Sequence, residues 1–513
     1  MIVIYHNQNK ITLAYSSNGD DLSGLIHQKV SSGILAIADQ FSEHILVWCD
    51  ELQKENLNID AIDKLFHHNK FIFSYARSED TYLGSKLGYV EATPYLKIHK
   101  KVQYGTWQMS SQVGAIHASV LSAIKDQLKP QDEFDYFLNS LAKLAMPFGL
   151  LCYSEPTLFL DNSPQKTLNK PNYFELFRFV KQHYRTRWIF LLFLNLMYYE
   201  KQFLLLPFLY TFLFRKRSFN PSGLNAIIPQ SKRNILEKKT IDVLIPTIGR
   251  KEYLHDVLKS LARQTHQPSN VIIIEQNPDV KSVSELDYLN QNHWPFQIKH
   301  EFTHQAGACN ARNIGLKLIE SDFCFLADDD LIFDDFLIEN AMQAFQTIAN
   351  EVFLVACHLK DETIQVQAPR QFPAFGSGVA FVKSACLKKL SFRNGYEFGF
   401  GEDIDFGMQL RNIGFDIIYL STFKILHLKA PMGGFRTKPI LPWHNETYSP
   451  KPSPTVMLYK LLHNTPEQFN SYKSTLFFNT LNKKFWFNPL REINLFRKKW
   501  NISLYWAKQL IDK

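Results

Sequence analysis

The chain has 513 residues, is 45% hydrophobic and 14% aromatic, and carries a formal net charge of +8. That length holds two or three domains, and that apolar fraction gives each a core, which excludes wholesale disorder. The six cysteines (Cys49, Cys152, Cys309, Cys324, Cys357 and Cys386) show no CxxC pair and no zinc-like spacing, and most lie in apolar runs and read as reduced core thiols in a cytosolic compartment.

The N-terminus, Met1-Ile2-Val3-Ile4-Tyr5-His6, lacks a charged leader followed by a long apolar segment. A short first strand is expected there, and no signal peptide. Residues 1–165 read as an α/β domain. Residues 166–238 contain two apolar runs, Trp188–Tyr199 and Phe203–Phe214, separated by Glu200-Lys201-Gln202. Arg185 and Arg187 precede them and Arg215-Lys216-Arg217 follow. A spanning helix needs about 20 apolar residues without central charges, and Pro207 interrupts the second run. Two short helices lying in a membrane interface are therefore expected, with a buried helical hairpin as the alternative. A polar linker, residues 219–239, closes this segment.

A second domain is expected over residues 239–440. Ile241–Thr247 reads as a strand stopped near Pro246, Lys251–Gln264 as a helix with its apolar face at Leu254, Val257, Leu258 and Leu261, and Val271–Glu275 as a buried strand ending in a carboxylate. Strands alternating with helices imply a mostly parallel sheet, whose ligands bind beyond the carboxyl ends of the strands. Thr247, Arg250 and Glu275 fall there; Arg250 can meet phosphate and Glu275 a base or ribose hydroxyl. The small residues of Gly307–Gly315 let helix and sheet approach, and Arg312 and Asn313 supply fixed donors near a nucleotide.

Asp328-Asp329-Asp330 follows the apolar run Phe323–Ala327. Three adjacent carboxylates at the end of a buried strand repel one another unless solvent or a cation compensates them. A divalent metal that also holds a diphosphate does so with oxygen ligands; the alternative is a solvated acidic turn. Phe375–Ala380 is a small-residue strand able to pass close to a sugar at Gly378. Glu402 and Asp403 stand at the start of a helix, where the dipole favours an ionised acid, as a general base requires. Capping by Asp403 or Asp405 is the other reading. His427 ends the next strand, where a packed core histidine is the ordinary reading, and the loop 431–436, with Arg436, reads as one able to close over a diphosphate, with a plain surface loop as the alternative.

In this order these elements resemble the family 2 glycosyltransferases of GT-A fold. The likeness rests on the strand-Pro-Thr opening at 243–247, the helix ending Leu261-Ala262-Arg263-Gln264-Thr265, the acid-terminated strand 271–275, Ala311-Arg312-Asn313-x-Gly315 and Asp328-Asp329-Asp330, and covers about residues 241–436. One departure is Glu275-Gln276-Asn277-Pro278, where the family often has Asp-Asp-Gly-Ser.

The resemblance implies a Rossmann-like, nucleotide-diphospho-sugar transferase domain that binds its donor through Pro246, Thr247, Arg250, Glu275, Arg312, Asn313, Asp328, Asp329, Gly378 and Arg436. It implies a divalent cation, Mn or Mg, at Asp328, Asp330 and His427, and Asp403 as base with Glu402 as the second candidate. Direct displacement would invert the anomeric carbon. A UDP-sugar donor is favoured by analogy, with a hydroxyl of a glycan or glycolipid as acceptor, in surface polysaccharide synthesis on the inner face of the cell membrane. A polyprenyl-phosphate acceptor and a non-catalytic nucleotide- or sugar-binding protein are the competing readings.

Residues 441–513 form a C-terminal extension. From Lys483 to Lys513 it carries eight Lys/Arg against Glu492 and Asp512, interleaved with Trp486, Phe487, Phe496, Trp500, Tyr505 and Trp506. That pattern suits a membrane-surface anchor, with a solvated terminal helix as the alternative; with no nucleic-acid fold signature beside it, no nucleic-acid partner is expected. The first 160 residues also echo the second domain. His44–Leu52 parallels Phe323–Leu331, Trp107–Ala115 parallels Ala374–Ala380, and Asp135–Tyr153 parallels Asp405–Tyr419. A degenerate GT-A-like copy without the Arg-Asn element is expected, with chance similarity among α/β segments as the alternative.

Overall fold

The computed structural model describes residues 1–78, 81–161, 172–430, 439–481 and 487–511. The chain divides into two compact units, residues 1–233 with 464–476, and residues 234–463 with 477–513.

Seven strands make the sheet of the first unit: β1 (Ile2–Asn7), β2 (Lys10–Ser16), β3 (Ile45–Asp50), β4 (Phe71–Tyr75), β5 (Tyr104–Gly105), β6 (Val113–His117) and β7 (Leu151–Ser154). Their spatial order is β2-β1-β3-β6-β4-β7-β5. β1 runs parallel to β3 and β4 to β7, while β6 is antiparallel to both its neighbours. The inner strands read as unbroken apolar runs because both faces are covered; Leu46, Val47, Trp48 and Cys49 of β3 are fully buried. Helices Tyr173–His183 and Arg187–Tyr199 add Leu176, Phe177, Val180, Ile189 and Leu192 to the same core. The apolar segment expected to stand apart thus belongs to this unit by one face. Residues 464–476 join it too: the Ser471 hydroxyl donates to Tyr89 O at 2.6 Å, and Gln468 Nε2 to Glu91 O at 3.0 Å.

The second unit has nine strands: β8 (Ile241–Thr247), β9 (Asn270–Gln276), β10 (Gln297–Thr303), β11 (Phe323–Ala327), β12 (Leu331–Ile332), β13 (Val352–His358), β14 (Arg370–Gln371), β15 (Val379–Lys383) and β16 (Ile417–His427). The order is β10-β9-β8-β11-β15-β13-β16-β12, with β14 beside β16. The first four are parallel, β15 is antiparallel to β11 and β13, and β13 is parallel to β16. This is the mixed α/β, Rossmann-like architecture expected. Helix Lys251–Ala262 buries Leu254, Val257, Leu258 and Leu261, the face its periodicity marks. Helix Ala308–Leu316 lies so close to β8 that a Cβ at Gly315 would stand 2.0 Å from Leu244 Cδ1. The glycine of the Ala-Arg-Asn-x-Gly motif is therefore a packing requirement.

Helix Pro489–Leu510 packs its aromatic face inside this unit. Trp500 is 2% exposed, and Trp506 donates to Glu446 at 2.7 Å. The aromatics at 496, 500 and 506, which suggested a surface anchor, are thus used in packing. Lys483, Lys484, Trp486, Asp512 and Lys513 lie outside the described residues.

The two sheets share a plan. β1, β3, β4, β6 and β7 have the chain order, neighbours and relative directions of β8, β11, β13, β15 and β16. Cys49 pairs with Val113 as Ala327 pairs with Val379, so Asp50 corresponds to Asp328 and Ser111 to Ser377. Ser111 donates its N–H and its hydroxyl to Asp135, both at 2.8 Å; Ser377 does the same to Asp403. The counterpart of Asp135 is therefore Asp403, two residues before the Asp405 suggested by the sequence match. Among its described residues the first unit has no equivalent of β9 or β10; its β2 returns antiparallel to β1 instead.

Candidate active site

A cavity of about 320 Å³ opens at the carboxyl ends of β8 and β11. Pro246, Thr247 and Arg250 line it from β8 and the turn after it, Arg312 from helix Ala308–Leu316, and Asp328, Asp329 and Asp330 from the end of β11. Glu402 and Asp403 enter from the first turn of helix Glu402–Asn412, and His427 from the end of β16. The two carboxylate motifs, more than 70 residues apart in the chain, thus face one space.

Each aspartate of the triplet has its own partners. Asp328 accepts from Arg312 Nη2 at 3.1 Å. Asp329, 3% exposed, accepts from the Thr247 hydroxyl at 2.7 Å and Arg250 Nη1 at 2.5 Å. Burial nevertheless pushes Asp329 up to about 6 against those two donors. Asp330, 1% exposed, accepts from the Ala430 N–H at 2.9 Å and lies 3.1 Å from Arg250 Nη1. Burial opposes its ionisation, but His427, the Ala430 N–H and Arg250 together hold it below the usual carboxylate range. The pairing with Asp330 raises His427 in turn.

The Glu-Asp pair behaves differently. Asp403 is raised by burial, which outweighs Arg312 and the Ser377 donors; Glu402 is raised by burial and by the charge of Asp403. Two carboxyls this close do not ionise independently. Asp405 caps nothing in the cavity. It is fully buried, 2.7 Å from His463 Nε2 and 3.1 Å from Arg393 Nε, and fixes the helix to its surroundings.

Asp328, Asp330 and His427 offer ligand atoms within 4.8 Å of one another. Two hard oxygen donors and one imidazole suit Mn or Mg. Two further observations fit a cation there. Asp330 Oδ1 is buried without a well-formed hydrogen bond, although His427 Nε2 lies 3.0 Å away. The cavity also gathers six carboxyl groups, with Glu397, against Arg250, Arg312 and His427, an imbalance that a divalent cation offsets.

Three expected nucleotide ligands are not among the lining residues. Asn313 spends its amide on the backbone of Phe392, donating at 2.7 Å and accepting at 2.8 Å. Glu275 is taken by His300 Nε2 at 2.9 Å and the Glu285 N–H at 3.0 Å. Gly378 lies directly behind Asp328: a Cβ there would meet Oδ2 at 2.2 Å. Residues 375–378 form the turn before β15 rather than part of the strand. Arg436 and the loop 431–436 lie outside the described residues.

Lining residues not singled out in the sequence include Gln276 and Glu397. Gln276 accepts from the Gly307 N–H at 2.6 Å. Glu397 accepts from the N–H groups of Cys309 and Asn310 at 3.1 and 3.0 Å, capping the helix that carries Arg312. The signal for Glu397 was its place five residues before Glu402, in one Gly-Phe-rich run.

Residues 242–400 match the family model for glycosyl transferase family 2. This domain belongs to that family. A minor teichoic acid biosynthesis protein, GgaB, of Bacillus subtilis is 28% identical over 117 residues, 22% of this chain and 13% of that protein. An uncharacterized glycosyltransferase of Haemophilus influenzae is 29% identical over 108 residues, 21% of this chain and 34% of that one. The chain therefore spans about a third or less of the length of these relatives. Among solved structures, S. aureus TarS 1–349 in complex with UDP-GlcNAc superposes with a TM-score of 0.36 at 17% identity, covering 52% of this chain and 81% of that one. GalNAc-T7 with UDP, GalNAc and Mn2+ gives a TM-score of 0.31 at 12% identity, covering 37% and 44%. Within the glycosyltransferase domain of this chain, the family match ends two residues before Glu402.

Proposed function

We propose that the chain is a metal-dependent, inverting glycosyltransferase that moves a sugar from a nucleoside diphosphate donor, UDP favoured, to a hydroxyl of a glycan or glycolipid. The observation that carries this reading is the single cavity shared by Asp328, Asp330, His427 and the Glu402-Asp403 pair. A divalent cation, when bound, supplies Lewis-acid stabilisation of the departing diphosphate. Arg250 and Arg312 lie beside the triplet and add positive charge where the leaving group develops its own. Asp403, fixed by Ser377, takes the proton of the acceptor hydroxyl. That hydroxyl attacks the anomeric carbon from the side opposite the diphosphate, so configuration inverts. Burial raises Asp403, and the charge of Asp403 in turn raises Glu402, so the two acids titrate together.

The partial likeness to a teichoic acid biosynthesis protein is in keeping with a surface-polymer product. The reading puts the enzyme at the inner face of the membrane, where a lipid-linked acceptor is held. No helix among the described residues is long and apolar enough to cross a membrane; the contact in this reading is peripheral.

The test is a screen of nucleotide sugars for metal-dependent hydrolysis and transfer. The wild type should turn over one donor with Mn or Mg, Asp330→Ala should lose the metal response, and Asp403→Asn should lose transfer. Transfer surviving Asp403→Asn would favour a phosphate acceptor, which needs no base. Nucleotide binding that no metal promotes would favour a non-catalytic binding protein.

A further inference from the structure

The apolar helices of the first unit have two apolar faces, and only one is covered. Helix Arg187–Tyr199 turns Ile189, Leu192, Asn195 and Leu196 into the core. On its opposite side Phe190, Leu194, Met197 and Tyr198 are between 40 and 62% exposed. Their spacing of four, three and one makes a single stripe. The next helix, Leu205–Tyr210, and the turn after it continue the surface, with Leu206 at 72% and Leu213 at 77% exposure. Ring contacts join the two pieces, Phe193 to Phe208 at 5.0 Å and Phe190 to Phe208 at 5.4 Å. The surface is therefore preformed.

Its charge is arranged for one kind of partner. Between residues 188 and 214 the only charged side chains are Glu200 and Lys201. Glu200 is taken by Lys86 at 2.8 Å and the Tyr89 hydroxyl at 2.6 Å. Cations flank the stretch on both sides, at Arg185 and Arg187 and at Arg215, Lys216 and Arg217. The last three line a cavity of about 800 Å³ with Lys129 and Arg178. Arg178 and Arg217 both grip the buried Asp132, at 2.5 and 2.7 Å, and so neutralise it. Among the described residues Lys129, Arg215 and Lys216 are exposed and have no ion-pair partner. Asp126 is the remaining acid of the lining.

A water-facing apolar stripe bounded by free cations fits the boundary between acyl chains and anionic headgroups. A second protein copy would need acids opposite those cations. We propose that residues 187–214 lie in the interface of an anionic bilayer and that the cavity at Lys129, Arg215 and Lys216 receives the phosphate of a lipid headgroup. The proposal rests on the membrane-face part of the proposed function and names the lipid chemistry; it does not depend on the transferase chemistry.

The experiment is co-sedimentation of the full chain with vesicles of phosphatidylcholine alone and of phosphatidylcholine with phosphatidylglycerol. Donor hydrolysis in solution is followed on the same preparations. Binding should be at least tenfold stronger to the anionic vesicles and weaken with salt. The double substitution Arg215→Glu, Lys216→Glu should remove that preference, and Leu206→Ser, Leu213→Ser should lower binding to both vesicles. Neither pair should change donor hydrolysis or the thermal midpoint. Equal binding to both vesicles, or none, would overturn the proposal while hydrolysis still reports on the transferase. Stabilisation by soluble glycerol phosphate without vesicle binding would reassign the cavity to a free phosphate ligand. Self-association abolished by Leu206→Ser, Leu213→Ser, with vesicle binding unchanged, would make the stripe a contact between copies.

Discussion

Asp403 and Asp330 are both aspartates of one cavity, yet their surroundings drive them in opposite directions. Asp330 is held ionised by His427, the Ala430 N–H and Arg250, as a cation ligand should be. Asp403 and Glu402 are pushed up by burial and, for Glu402, by its neighbour's charge. A base acts only when ionised, so activity is present above the range of the pair and lost as pH falls through it. The pH–rate profile of donor hydrolysis, at saturating metal, should have its acid limb above the ordinary carboxylate range. In Glu402→Gln the neighbouring charge is gone, and the limb should move to lower pH. A limb that stays in place would show that another group sets it. Asp403→Asn should lower turnover by about 10²–10⁴-fold. Asp328, Asp330, Arg312, Asp403 and His427, picked out in the sequence as parts of local motifs, line one cavity. Asn313 and Glu275 are instead bound to the Phe392 backbone and to His300, partners on segments that no motif connects to them.

Between elements, glycines set the distances. Helix Ala308–Leu316 carries Arg312 and is located by Gly315 against β8 at one end and by Glu397 against its first N–H groups at the other. Gly315→Val should force the helix off Leu244 and destabilise the unit by about 1–3 kcal/mol, measured as a loss of denaturant midpoint. Gly378→Ala should act differently. Its new methyl would press on the Asp328 carboxylate, not on the core, so metal-stimulated nucleotide binding should weaken with a much smaller change in midpoint. If Gly378→Ala unfolds the domain as readily as Gly315→Val, the close approach to Asp328 is structural. The strand and helix periods of residues 241–275 could be read because each element there is amphipathic or continuously apolar. The cap from Glu397 could not, because it joins residues nearly 90 positions apart.

Across the whole molecule the same sheet plan occurs twice, and in the second unit it carries the cavity of paired carboxylates and cations. The repeat was legible as short matching strings, but the alignment slipped by two residues at its most informative point, since helix starts are marked weakly in sequence. Register and hydrogen bonding make Asp135 the counterpart of Asp403, each held by a serine before the homologous strand. The first unit keeps this carboxyl while Glu51 and Leu52 stand where Asp329 and Asp330 would be. Asp135 then has no leaving group to serve, and its charge is a burden on folding. Burial pushes it up, so the folded state holds its proton more tightly than the unfolded chain does. Stability contributed by the protonated group is full below the unfolded value and is lost as pH rises towards the folded one. Asp135→Asn keeps an acceptor for the Ser111 N–H and removes that loss. At pH 8 it should raise the thermal midpoint by a few degrees, with the gap closing below about pH 4, and leave donor hydrolysis at the wild-type rate. The same substitution at Asp403 should lower transfer by about 10²–10⁴-fold. Loss of hydrolysis in Asp135→Asn, in a chain that stays folded, would mean that the first unit has kept a part in the chemistry.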